Sequence, residues 1–93
     1  MPYSLSRLKS ADYVKAKQVF DQASAIRKGY GAKGWTLFQN ADNPNEFIVL
    51  IEWNSLETAR KFIQSEDVKK ALKDAGIIAS DFYFLNEIEE VKV

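Results

Sequence analysis

The chain contains no cysteine. Disulfides, thiolate metal sites and cysteine nucleophiles are therefore excluded. Histidine is missing as well, which removes the commonest general base, metal ligand and haem ligand. Any acid–base or recognition chemistry must then rest on tyrosine, tryptophan, asparagine, arginine, lysine or carboxylates. Charge of one sign is also lacking: 13 Lys and Arg balance 13 Asp and Glu, so neither nucleic acid nor an anionic membrane is expected as a partner. No apolar run approaches the roughly 20 residues that span a bilayer. The opening MPYSLSRLKS has no apolar signal-peptide core, and the expected compartment is the cytoplasm. Phosphate-cradling glycine loops and metal-ligand spacings are absent, so no cofactor and no metal is expected.

What is present fits one small domain spanning residues 1–93, because separate cores usually need roughly 100 residues each. A domain of this size buries only about 60 to 65% of its unfolded surface, so packing against a partner would add useful stability.

Tyr3, Leu5 and Arg7 alternate with Ser4, Ser6 and Leu8, the period of a first strand ending near Lys9. Ser10 or Asp12 can cap the helix that follows. Its apolar stripe is Ala16, Val19, Phe20, Ala23, Ile26 and Tyr30, at three- and four-residue spacing, and Gly29 or Gly31 ends it. Trp35 to Gln39 predicts a second strand, and the turn formers from Asn40 to Asn45 predict a hairpin connection. Glu46 to Trp53 is the strongest strand, and its unbroken apolar run from Phe47 to Ile51 implies cover on both faces. Asn54 with Glu57 reads as a capping box for a second helix bearing Leu56, Ala59, Phe62 and Ile63. Ser65 restarts a helix with Glu66 and Asp67 in its first turn, suited to the positive end of the helix dipole. Its apolar face is Val68, Ala71, Leu72 and Ala75, and Gly76 stops it. Ile77 to Ser80 reads as a connector before a last strand from Phe82 to Ile88, and the Glu89, Glu90, Lys92 tail as exposed.

This order predicts an α+β fold, a ferredoxin-like βαββαβ with a four-stranded antiparallel sheet and helices on one face. The other face cannot be polar. Strand three offers Phe47, Val49, Ile51 and Trp53 on one side and Ile48 and Leu50 on the other, and strand four offers Phe82 and Phe84 against Tyr83 and Leu85. Whichever side the helices take, large apolar groups remain uncovered, and such a patch marks an interface. A second copy, packed sheet to sheet about a two-fold axis, is the expected partner. Burying roughly 500 Å² of apolar area per subunit would gross over ~20 kcal/mol before association entropy.

The strand ending in Glu52-Trp53, the following Asn54-Ser55-Leu56-Glu57 and the helix with Ala59 and Phe62 resemble the antibiotic biosynthesis monooxygenase-like superfamily. The likeness continues through Gly34-Trp35, Asp42-Asn43-Pro44-Asn45-Glu46, Ala75-Gly76-Ile77 and Tyr83-Phe84-Leu85. It implies a dimeric α+β barrel. It also implies cofactor-independent quinone-forming oxygenases or haem-degrading oxygenases, both with a tryptophan ending the third strand, which Trp53 matches. The chain departs from the haem enzymes in having no histidine. It departs from the first kind in carrying Val49 where they carry asparagine. Stress-protein and muconolactone-isomerase-like members share the fold without that constellation.

A pocket in this fold would lie between sheet and helices. Trp53 is the first candidate for it, since an indole can stack on a planar ligand and donate one hydrogen bond. Tyr83 and Tyr30 can serve as acids or donors towards a carbonyl or phenol. Arg7 and Asn86, in partly apolar strands, can orient an oxygen-rich or anionic ligand if they face inward. Trp35 is expected to cover the barrel end, and Lys15, Lys17, Lys69, Lys70 and Lys73 to form solvated helix faces. Two functions follow as expectations: oxidation or isomerisation of a small planar hydrophobic metabolite, or binding of a small ligand or partner without turnover. A cavity of roughly 300 Å³ with converging polar groups would favour a ligand, and one filled by Phe20, Phe62 and Trp53 a purely structural interior.

Overall fold

In the computed structural model, which describes all residues Met1–Val93, the chain runs β1 (Pro2–Ser10), α1 (Tyr13–Gln22), α2 (Ser24–Gly29), β2 (Ala32–Gln39), β3 (Glu46–Trp53), α3 (Leu56–Ile63), α4 (Glu66–Asp74) and β4 (Ile77–Asn86). The strands form one antiparallel sheet in the order β2-β3-β1-β4, with the first and third strands in the centre as expected.

Local chemistry sets the helix ends. Asp12, in extended conformation, accepts from the backbone N–H groups of Val14 and Lys15 at 3.0 and 3.4 Å. Ser10 stays in β1, where its hydroxyl donates to the Asn45 carbonyl at 3.3 Å. The single first helix expected from the stripe is two, because at Ala23 the backbone N–H is shared among the carbonyls of Val19, Phe20 and Asp21. The cap of α3 is Ser55, not Asn54: the Ser55 hydroxyl accepts from Thr58 N at 3.2 Å. Asn54 is engaged elsewhere, its N–H on the Gly31 carbonyl at 3.2 Å and its Oδ1 on the Thr58 hydroxyl at 2.6 Å. Ser65 caps α4 through Val68 N, with Glu66 and Asp67 in the first turn. Gly76, at φ 69°, ends α4 in the left-handed region as expected.

The last strand begins earlier than its composition implies. Ile77 to Ser80 pair with Ser10, Lys9 and Leu8 of β1, with a register shift between Lys9 and Ser10, so β1 recruits the presumed connector into the sheet. The strand ends at Asn86, and residues beyond it are exposed.

Sheet alternation then sorts the side chains. Phe47, Val49, Ile51 and Trp53 of β3 point towards the helices and are buried, packed with Leu8, Ala16, Ala59, Phe62, Val68 and Ala75. In β1 the helix side carries three serines, Ser4, Ser6 and Ser10, all buried, while Tyr3, Leu5 and Arg7 lie on the other face. That other face also carries Ile48 and Leu50 opposite Arg7 and Leu5, and Tyr83 and Leu85 opposite Leu5 and Tyr3. Tyr83 is 50% exposed, Phe38 52% and Leu85 39%, so the sheet's second face is largely apolar and uncovered in the single chain. No helix is long and apolar enough to cross a membrane.

Candidate functional site

One short side chain on a central strand, Ser6, leaves room beneath the helices. Ser6 lies between Val49 of β3 and Phe82 of β4 in the ladder, where a larger residue would fill the space. The result is a cavity of about 90 Å³ between the sheet and the four helices. Its walls include Ala16, Phe20, Val49, Phe62, Leu72 and Phe82, and of its 18 lining residues 16 are hydrophobic. The two others are Ser6 and Arg27.

Arg27, on α2, is only 4% exposed. Its guanidinium carbon lies 3.9 Å from the ring centre of Phe20 and 4.3 Å from that of Trp35. Its Nε has no hydrogen-bond partner, and none of the ion pairs in the structure includes it. Desolvation pulls its pKa down to about 10, against a smaller opposing pull from Asp21. It is therefore still charged at neutral pH, and Asp21 is itself held by Lys17 at 2.7 Å. A buried charge without a hydrogen-bonded counter-ion is costly.

The residues expected to line the pocket do not converge. Trp53 is fully buried on the helix side, its Nε1–H donated to Ser4 Oγ at 2.9 Å, with its ring against Phe62 at 5.1 Å. It is a neighbour of the cavity's Phe62 wall rather than part of the lining. Tyr30 packs on the same Phe62 at 5.4 Å and donates its hydroxyl to Asp67 Oδ2 at 3.2 Å, which points its polar end outward. Tyr83 and Arg7 stand on the opposite face of the sheet, Arg7 exposed beside a surface groove shared with Phe38, Glu46 and Ile48. Asn86 is exposed at the end of β4, opposite Pro2. Trp35 faces the helix side, paired with Ile51, where it stacks on Arg27.

Arg27 is the residue that reading by type overlooks. Its signal was present: the stripe Ala16, Phe20, Ala23 continues by four residues to Arg27, which sets a cation at a core position. Ile26, assigned to that stripe, is instead 39% exposed.

On the open face Tyr3 donates its hydroxyl to Glu87 at 2.8 Å and lies 3.4 Å from Glu52. Its pKa is pushed up to about 12, first by the bond to Glu87, then by desolvation and the two negative charges.

The ferredoxin-like α+β fold, a four-stranded antiparallel sheet with helices on one face, is shared with solved structures of antibiotic biosynthesis monooxygenase-like proteins. A candidate antibiotic biosynthesis monooxygenase from Deinococcus radiodurans superposes with a TM-score of 0.77 at 17% identity, over 100% of this chain and 98% of that one. SnoaB, a cofactor-independent oxygenase from Streptomyces nogalater, gives 0.82 at 13% identity, over 97% and 95%. A variant of MhuD with two manganese protoporphyrin IX molecules per active site gives 0.74 at 11% identity, over 100% of each chain. No family model matches the sequence and no curated protein matches it. At these identities the shared property is the fold.

Proposed function

We propose that this protein is a homodimeric α+β barrel that binds a small, mainly apolar molecule in the cavity between sheet and helices. The observation that carries the reading is the cavity itself, an apolar chamber of about 90 Å³ with Ser6 and Arg27 as its polar wall. Apolar concavities with sparse polar groups are where small ligands bind, and at about 90 Å³ this one is well below the roughly 300 Å³ usual for such sites, so its ligand must be very small. The geometry favours binding over turnover, because neither polar wall residue is suited to accept a proton at neutral pH. Serine is a base only beside a partner that takes its proton, and Arg27 keeps its own.

The dimer is supported by the open face. Leu5, Ile48, Leu50, Tyr83 and Leu85 lie together on one face of paired strands, and an open apolar sheet face is covered most simply by a second copy of itself.

A second reading, oxygenation of a planar substrate, draws on the likeness to a cofactor-independent oxygenase and on Trp53 at the end of β3. It requires the interior to widen, since a chamber of about 150 Å³ is needed for one benzene ring. Oxygen uptake with a dihydroxynaphthalene as probe separates the two: steady consumption dependent on the protein supports turnover, and none leaves binding.

The test of the binding reading is the Ser6→Val substitution, which fills the chamber. Isobutanol should bind the wild-type protein saturably and raise its thermal midpoint, and Ser6→Val should abolish that response while folding normally. An equal response in both proteins would place the ligand elsewhere and overturn the reading.

A further inference from the structure

Arg27 is a charge that the protein's own interior leaves uncompensated. The chain holds 13 carboxylate side chains, yet none forms an ion pair with this guanidinium, and its buried Nε is left without a partner. The contacts it does make, with the faces of Phe20 and Trp35, engage the cation's charge and plane rather than its N–H donors. Those donors are the planar fork that pairs with a carboxylate through two parallel hydrogen bonds. The side chain lines the chamber, whose remaining walls are apolar apart from the Ser6 hydroxyl.

We propose that the chamber is a site for a small aliphatic monocarboxylate, its carboxylate on Arg27, its second polar contact from Ser6 and its hydrocarbon body against Val49, Leu72 and Phe82. This rests on the chamber being a ligand site and adds the chemical class. Size sets the limit on the body. About 150 Å³ holds a six-carbon ring, so about 90 Å³ suits a body of about four carbon atoms. A phenolate or a fused-ring anion exceeds that space.

Arginine at such a position carries a desolvation cost that its stacking on Phe20 and Trp35 and the pull of Asp21 offset only in part. Replacing an uncompensated buried charge by an apolar side chain of similar length commonly stabilises a protein. Arg27→Met is therefore expected to fold, with a thermal midpoint equal to or a few degrees above that of the ligand-free wild type, whereas a purely structural Arg27 would give a clear drop.

The decisive comparison is isobutyrate against its neutral isostere isobutyramide, titrated calorimetrically into the full-length protein in about 0.3 M NaCl to screen surface lysines. Wild type should bind isobutyrate at least about tenfold more tightly than isobutyramide, because a carboxylate brings a full countercharge and two acceptor oxygens for parallel bonds to the guanidinium, whereas the amide offers one neutral acceptor. Arg27→Met should lose that preference. Equal affinity for acid and amide in the wild type, or a preference that survives Arg27→Met, would overturn the carboxylate assignment while leaving the chamber as a neutral-ligand site. Failure of both probes in the wild type, with isobutanol also inactive, would overturn the chamber reading and this one together.

Discussion

The indole N–H of Trp53 is donated to Ser4 Oγ at 2.9 Å, across the β1–β3 ladder, with both side chains fully buried. Ser4 has Ile51 as its ladder partner, so the bond runs diagonally to the end of β3 and ties the last residue of the strand to the centre of the sheet. It also occupies the one donor through which Trp53 would otherwise engage a ligand.

Ser4→Ala should therefore lower stability by about 1 to 3 kcal/mol, the cost of a buried donor left without its acceptor. Trp53→Phe should be destabilising too, through lost volume against Phe62. Neither should change isobutanol affinity by more than about threefold, because Trp53 is outside the chamber lining. Urea denaturation and calorimetry check the two parts separately. A selective loss of binding with Trp53→Phe, stability held constant, would return Trp53 to the ligand site.

Two glycines at the end of α2 and in the turn after it should respond in opposite directions. Gly31 has φ 107°, and a Cβ there would stand 2.7 Å from Asn54 Nδ2. Gly31→Ala should cost about 1 to 3 kcal/mol through backbone strain and displacement of the Asn54 side chain. Gly29, the last residue of α2, has nothing within 4 Å of an added Cβ, and Gly29→Ala should be neutral or stabilise by up to about 1 kcal/mol. Thermal melts of both variants decide it.

Tyr3 should ionise only at unusually high pH. Its folded-state value, about 12, lies above the ordinary 10.0. The stability it contributes is therefore complete below pH 10 and is lost as the pH rises towards 12. The ultraviolet phenolate signal of wild type minus that of Tyr3→Phe should appear near pH 12, and in Glu87→Gln the Tyr3 signal should move towards 10. Ionisation of Tyr3 near 10 in the wild type would show that the Glu87 bond does not hold in solution.

The open sheet face should dissociate when charged. Leu50 is half-buried on that face, outside the core, so Leu50→Lys should leave the fold intact while weakening the dimer on the order of 100-fold. Sedimentation equilibrium is the measurement. A wild-type protein that is monomeric at micromolar concentration would contradict the homodimer.

Much of the fold could be read from residue order. The apolar run from Phe47 to Ile51 marked the central strand, and Asp12, Ser65 and Gly76 marked helix ends by chemistry that is local to a few residues. What escaped was set by distant parts of the chain. Ile77 and Ile78 carry strand propensity, but the pair is too short to mark a strand by itself, and Ile77 to Ser80 join the sheet because β1 offers them a ladder. Asn54, by contrast, leaves the cap of α3 to Ser55 for a local reason, since its Oδ1 accepts from the Thr58 hydroxyl while the Ser55 hydroxyl accepts from Thr58 N. The site was harder still. Trp53 and Tyr83 are both aromatic strand residues, yet the register of β1 with its two neighbours places them on opposite faces, and no single-strand pattern says which face the helices will cover. In β1 the pattern even misleads, since its serines face the core and its Tyr3 and Leu5 face outward. Arg27 was legible only to a reading that asks why a cation sits on the apolar stripe of a helix.

The most direct test of a ligand chamber beneath the helices is a methyl NMR titration of the full-length protein with isobutyrate. The chamber's Val49 and Leu72 methyls should shift together and saturate at one ligand per protomer. Shifts confined to Leu5, Ile48 and Leu50 on the open face, or shifts that never saturate, would contradict it.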